Sequence, residues 1–223
     1  MPNEILDGLN NIRDHQEYCD FVSETKCKLD SMSKGVLLRF KLDDLEEKAL
    51  IKFLQKELPK FGNYLRQKIL DSVLNVGSVR DATRIYAFWV DVAKSAVKES
   101  NLEVGFSINA ALNDTPLYNM FNKSKGGERL LSRATMNNKA DLDRLFAFGG
   151  NYGEIRRYQK QHGGTVVFGP YVTFTKDIEL YGNSLLAKEE SIKIRQRFAM
   201  YLSAAKSSAG TPMPELVPLS KKD

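Results

Sequence analysis

The chain has 223 residues, a net charge of +5, 42% hydrophobic and 27% charged residues, a balance ordinary for a globular protein and incompatible with disorder throughout. No apolar run approaches the roughly 18 residues that cross a bilayer. The start, Met1-Pro2-Asn3-Glu4-Ile5, has no basic segment leading into an apolar one, so the expectation is a cytoplasmic protein without a membrane span.

In chain order, Ile5, Leu9 and Ile12, then Tyr18, Phe21 and Val22, predict a leading helix and a second behind it. Asp43 or Asp44 is placed to cap a helix carrying Leu45, Ala49, Phe53 and Leu54, which Pro59 closes. Phe61, Leu65, Ile69 and Val73 predict a helix ending near Gly77. Ser78 and Asp81 then make a capping-box-like start for a helix with Ala82, Ile85, Tyr86, Trp89, Val92, Ala93, Ala96 and Val97 on one wide stripe. That width, with the sole tryptophan in it, predicts a central helix.

A helix through Phe106, Ile108, Ala111 and Leu112 follows Asn101, and Thr115-Pro116 reads as the cap and first turn of another with Leu117, Met120 and Phe121. After Gly126-Gly127, a long helical pattern runs from Leu130 to Phe146 and is ended by Gly149-Gly150; Arg156 to Gln161 is a short basic helix closed by Gly163-Gly164. Ile194, Phe198, Tyr201, Leu202 and Ala205 form the last helix. The expected class is all α, with an N-terminal helical segment over residues 1–58, a main domain over 59–206 and a flexible proline-containing tail over 207–223.

Recognisable covalent chemistry is missing. The only histidines, His15 and His162, sit in no catalytic motif, and there is neither a Walker-type loop nor a Rossmann fingerprint after a strand. Cys19 and Cys27 with His15 do not match a standard zinc spacing, so no metal or cofactor is expected and the cysteines read as reduced, partly buried thiols. A pI near 9 favours acidic partners. The sharpest basic group, Arg156, Arg157 and Lys160 around Tyr158, would suit stacking beside phosphates in an RNA-binding protein. Charges elsewhere are mixed with acids, which weighs against nucleic acid and favours a solvated helix face.

Residues 165–183 stand apart: a β-branched start, then Phe168-Gly169-Pro170-Tyr171-Val172-Thr173, with Pro170 suited to a first helical position and Gly182 to the residue past the end. With the segments before it, this stretch resembles the catalytic hairpin of Ras-family guanine-nucleotide exchange factors. Six landmarks occur in that family's order over roughly residues 60–206, about two-thirds of the chain. Trp89-Val90-Asp91-Val92-Ala93 is similar to its Trp-x-x-Val-Ala helix. Asn101 through Ala111-Leu112-Asn113 is similar to the segment ending in Ala-Leu-Asn. Leu142-Asp143-Arg144-Leu145 matches Leu-Asp-Lys-Leu, Asn151-Tyr152 with Arg156 the connector, residues 168–173 the start of the hairpin, and residues 191–205 the closing helix.

What the resemblance implies is a helical bowl with a protruding helical hairpin, which grips a small Ras-superfamily GTPase and promotes GDP release by displacing switch I. In that family an apolar hairpin residue occludes the magnesium site and a hairpin acid stands in for phosphate. Here Lys176 falls at the apolar position and Leu180 at the acid, with Asp177 and Glu179 as neighbouring acids able to supply the charge if the register shifts. The resemblance further implies partner contacts at Phe168 and Tyr171, and places Glu103 where the family has an asparagine supporting the site, and Asn119-Met120 where it has Arg-Leu. The alternatives are a non-catalytic GTPase- or protein-binding adaptor on the same scaffold, and a basic helical RNA-binding or nucleocapsid-like protein. A divergent, compact exchange domain is also compatible with a bacterial effector acting in a host cytosol.

Overall fold

The structure, a computed structural model, describes residues 3–38, 58–121 and 127–162 and the single positions 189, 192 and 196. The described residues are all helical apart from turns: α1 (Glu4–Asn11), α2 (His15–Leu38), α3 (Leu58–Leu74), α4 (Val79–Lys98), α5 (Leu102–Leu112), α6 (Thr115–Phe121), a 3-10 turn (Gly127–Leu130), α7 (Arg133–Leu145) and α8 (Gly149–His162). The chain divides into two compact units, residues 1–29 with 65–165 and residues 30–64 with 166–223. α2 and α3 each have one end in the second unit; the other described helices belong to the first.

Local chemistry explains where most helices begin. The Asn3 side chain accepts from the Leu6 amide at 3.2 Å to start α1 and donates to the Ser72 carbonyl at 2.7 Å. Asp14 accepts from the Glu17 amide at 2.9 Å while Glu17 reaches back to the Arg13 amide at 2.7 Å, a reciprocal cap for α2. Ser78 accepts from the Asp81 amide at 3.0 Å, as the sequence predicts. Pro59 falls in the first turn of α3, where its missing N–H costs nothing. The helix it was expected to close, over residues 43–58, has its body outside the described residues.

α4 runs through the middle of its unit and packs against α1, α5 and α7. Ile85, Phe88, Trp89, Val90, Val92, Ala93 and Ala96 have no exposed surface, so the helix is enclosed on nearly every side. Phe21 of α2 stacks on Phe88 with ring centroids 4.9 Å apart, and Phe88 meets Trp89 edge-on at 5.6 Å. The indole N–H of Trp89 donates to Ser72 Oγ at 2.9 Å, and that hydroxyl donates onward to the Ile69 carbonyl at 2.8 Å. The buried polar atoms of the tryptophan face are thereby satisfied within the helix pair α3 and α4.

The turn from α4 to α5 is tight. Ser100 adopts φ 64°, its amide bonds the Val97 carbonyl, and the Asn101 amide reaches the Ala96 carbonyl at 2.8 Å, closing the end of α4 before Asn101 caps α5. Gly105 is needed on the facing turn of α5: a Cβ there would lie 2.8 Å from Val97 Cγ2. The absence of a side chain at that point lets α5 lie close against α4.

Three expectations are corrected. The helix through Leu142 and Leu145 stops at Phe146, whose amide bonds the Leu142 carbonyl, and Gly149-Gly150 opens α8 instead of ending α7. The basic segment at 156–161 is accordingly the second half of a helix that starts at Gly149. Its first turn is irregular, with Gly150 at φ 60° and Tyr152 at φ 59°, the latter costing about 1 kcal/mol for a side-chain-bearing residue. Both cysteines are exposed, not partly buried: Cys27 lies off the buried α2 stripe of Val22, Lys26, Leu29, Ser33 and Val36, and Cys19 continues its spacing one turn before burial begins.

Candidate functional site

Two of the segments that carry the sequence resemblance meet in space. Asn113, just past α5, donates through Nδ2 to Asp143 Oδ1 of α7 at 2.8 Å. Lys139, one turn before Asp143, donates to the Asn113 side-chain oxygen at 2.8 Å and forms an ion pair with Asp143. An ammonium has three donors and no acceptor, so it can hold both partners at once and tie α7 to the end of α5. Lys139 is 9% exposed. Its burial pulls its pKa below the ordinary lysine value, outweighing the opposing pull of Asp143.

This polar clamp lies on the wall of a cleft of about 310 Å³, lined also by Tyr86, Leu112, Tyr118, Phe121, Leu131, Met136 and Ala140. Burial is the first cause, and Asp143 the second, of a Tyr86 pKa raised well above the usual tyrosine range. Tyr86 and Phe121 rings lie 4.2 Å apart and are both buried, whereas Tyr118 on α6 is 54% exposed. The cleft therefore has a closed aromatic side, a charged but neutralised floor, and a free ring at its mouth. Such a surface can receive an apolar or aromatic side chain and offer a limited set of polar contacts.

Of the residues singled out from the sequence, Asn119 is exposed on α6, next to Tyr118. Glu103 is buried at the N-terminal turn of α5, where the Ser107 hydroxyl donates to its carboxylate at 3.4 Å and the helix dipole favours the negative charge. Neither residue lines the Lys139 cleft. Phe168, Tyr171, Lys176, Asp177, Glu179 and Leu180 lie outside the described residues, as do the closing helix around Phe198 and the tail. Within the basic group, Arg157 is taken up by Glu154, both carboxylate oxygens lying 2.8 Å from Nη1, and Tyr158 donates to the Val97 carbonyl at 3.4 Å.

Among the metal candidates, His15 Nε2 and Cys19 Sγ sit 3.7 Å apart on successive turns of α2, and no group of three potential ligands gathers among the described residues. No described helix is long and apolar enough to cross a membrane. Sequence reasoning missed Lys139 and Tyr118. The available signal for Lys139 was its place four residues before Asp143, the spacing of neighbours on one helix face. Comparison with protein-family models and with curated proteins gives no match to this chain.

Proposed function

We propose that this chain binds a small Ras-superfamily GTPase in the cytoplasm and promotes GDP release, using residues 165–183 as a helical hairpin that displaces switch I. The observation that carries the reading is the ordered series of landmarks from Trp89 to residue 205. Four of them fall on four separate helices in chain order: Trp89 to Ala93 on α4, Ala111-Leu112 at the end of α5, Leu142 to Leu145 closing α7, and Arg156 on α8. The Asn113–Asp143 bond joining two of these segments supports treating them as parts of one scaffold. A bowl-like bundle with a projecting hairpin belongs to the same proposal.

The physical task is differential binding. Nucleotide and magnesium are held by many charge-assisted contacts, and an exchange factor accelerates their loss by preferring the opened, empty GTPase. Such a protein makes and breaks no covalent bond, in keeping with the lack of a catalytic motif in the sequence. Asp177 and Glu179 are the acids available to stand in for phosphate, beside Lys176 and Leu180 at the positions that depart from the family.

Loss of fluorescent GDP from a panel of Ras, Rap, Ral, Rho and Rab proteins, with and without the full chain, tests the proposal. Acceleration on one member is expected, slowed by Asp177→Ala with Glu179→Ala while circular dichroism stays unchanged. No acceleration on any member and no binding to nucleotide-free forms would remove it. Lys176 and Leu180 favour a second reading, a GTPase-binding adaptor. Stable binding to a GDP-loaded partner with no exchange would select it.

A further inference from the structure

A second and larger cleft, of about 750 Å³, opens between the last turn of α4, the end of α7 and the second half of α8. Its volume lies within the range of small-molecule sites. α8 lines it from Glu154 to Gln161, two turns or about 10 Å of wall. The landmarks that carry the exchange-factor reading do not require it, and nothing in the Lys139 cleft overlaps it.

Its floor is apolar because the interior stripes of three helices run on past the core. Ala96, Leu142 and Ile155 are fully packed, while Val97, Leu145 and Tyr158, one residue or one turn further along, stay partly exposed and face the cleft. Its rim is cationic. Lys94, Lys98, Arg144 and Arg157 stand against the two carboxylates Asp141 and Glu154. Asp141 is shared by Lys94 at 3.1 Å and Arg144 at 3.8 Å, and Glu154 is engaged by Arg157. Lys98 is exposed and makes no ion pair with any described residue. The carbonyl ends of α4 and α7 contribute partial negative charge, which Lys98 and Arg144 in the last turns oppose. A net positive rim remains, concentrated at Lys98 and at the carboxylate-sharing pair.

We propose that this cleft binds a small anionic amphiphile, a carboxylate or phosphate monoester on an apolar body, with its acid at Lys98 and Lys94 and its body over Val97, Leu145 and Tyr158. An uncharged apolar molecule would leave Lys98 unneutralised, and a bare inorganic anion would leave the floor wet. Only a ligand with both parts uses both surfaces.

The test uses the full chain with octanoate, octyl phosphate, octanol and inorganic phosphate, followed by calorimetry and by amide chemical shifts. Octanoate and octyl phosphate should bind saturably below about 1 mM, with shifts centred on the end of α4, the end of α7 and α8. Octanol and inorganic phosphate should each bind at least about tenfold more weakly. Lys98→Glu, at an exposed position that leaves folding intact, should weaken octanoate about tenfold and leave octanol unchanged. Leu145→Asp should weaken all of the octyl compounds. No saturable octanoate binding up to about 10 mM would overturn the proposal. So would equal affinity for octanol and octanoate, or Lys98→Glu without effect.

Vesicles of phosphatidylglycerol separate the sources of the ligand. Retention that octanoate competes away supports a membrane lipid as the natural occupant, and octanoate binding with no vesicle retention supports a soluble anion. Vesicle retention that octanoate leaves intact, in a protein that shows no amide shifts around the cleft, would overturn the site in favour of surface attraction.

Discussion

α4 and α7 begin in the same way and end in different surroundings. Ser78 accepts from the Asp81 amide at 3.0 Å and Ser132 from the Thr135 amide at 3.1 Å, so each helix has a serine cap of the same geometry. Yet α4 buries nine residues, all of them apolar or aromatic, whereas α7 buries Thr135, Lys139 and Leu142. A cap fixes where a helix starts, while the width of the apolar stripe decides how far it sinks into the core. α4 is held by packing. α7 is held by one leucine and a clamp of charges, and it keeps both of its flanks open to clefts.

That contrast can be broken most directly at its strongest point. Trp89→Ala removes a fully enclosed side chain and leaves the Ser72 hydroxyl without its indole partner. A loss of about 3–5 kcal/mol is expected, read as a fall in the midpoint of urea unfolding followed by circular dichroism. A loss under about 1 kcal/mol would mean that α4 is not the centre of the unit.

A smaller effect is expected at the clamp of α7. Lys139→Met replaces a buried ammonium with an apolar chain of similar length, and because Asn113 and Asp143 lose their shared donor the stability at neutral pH should fall by about 1–3 kcal/mol. The informative measurement is the pH dependence. Burial lowers the pKa of Lys139 in the folded protein, so folding releases a proton in the window between that lowered value and the ordinary one near 10.4. Wild-type stability should therefore rise relative to Lys139→Met as pH increases through this window, and that pH-dependent part of the difference should vanish as pH falls below it. Taking the difference between the two proteins cancels the tyrosines, of which Tyr18 and Tyr86 are shifted upward and act in the opposite sense. A flat difference would place the ammonium in water.

The smallest effect is expected on the outer wall. Arg157→Ala breaks an exposed pair with Glu154 and should change stability by less than about 0.5 kcal/mol in the same unfolding assay. A large loss there would show that α8 depends on its surface charges more than on Ile155, which is buried.

The parts that could be read from the sequence are those where one physical signal dominates. Ser78 with Asp81, and the stripe through Trp89, give α4 its start and its central place. α2 was harder to follow to its end, because its buried positions alternate apolar Val22, Leu29 and Val36 with polar Lys26 and Ser33. The heptad-like spacing is present, but two of its five positions do not register as hydrophobic. Gly149-Gly150 misled because glycine tolerates both a helix stop and an irregular helix start, and Gly150 uses its freedom at φ 60° for the latter.

The clefts were hidden for a different reason. Asn113, Lys139 and Asp143 acquire meaning only when the end of α5 meets α7, and Lys98, Arg144 and Arg157 only when three helices converge. The i,i+4 spacing of Lys139 and Asp143 is local, but no local pattern links that pair to Asn113 or joins the three helices of the larger cleft. Arg157 was visible as part of a basic group, but its pairing with Glu154 removes it from a simple RNA-contact role.

The chain's single tryptophan is also the largest fully enclosed side chain among the described residues, with its N–H bound to a hydroxyl and its ring in contact with Phe88. Intrinsic fluorescence excited at the red edge of the absorption band thus has one source, seated in the interior away from both clefts. Its emission reports whether the α3–α4 interior is intact, and ligand titrations can be followed by amide shifts while the same sample's emission certifies that the fold has not changed. The protein carries its own internal optical control.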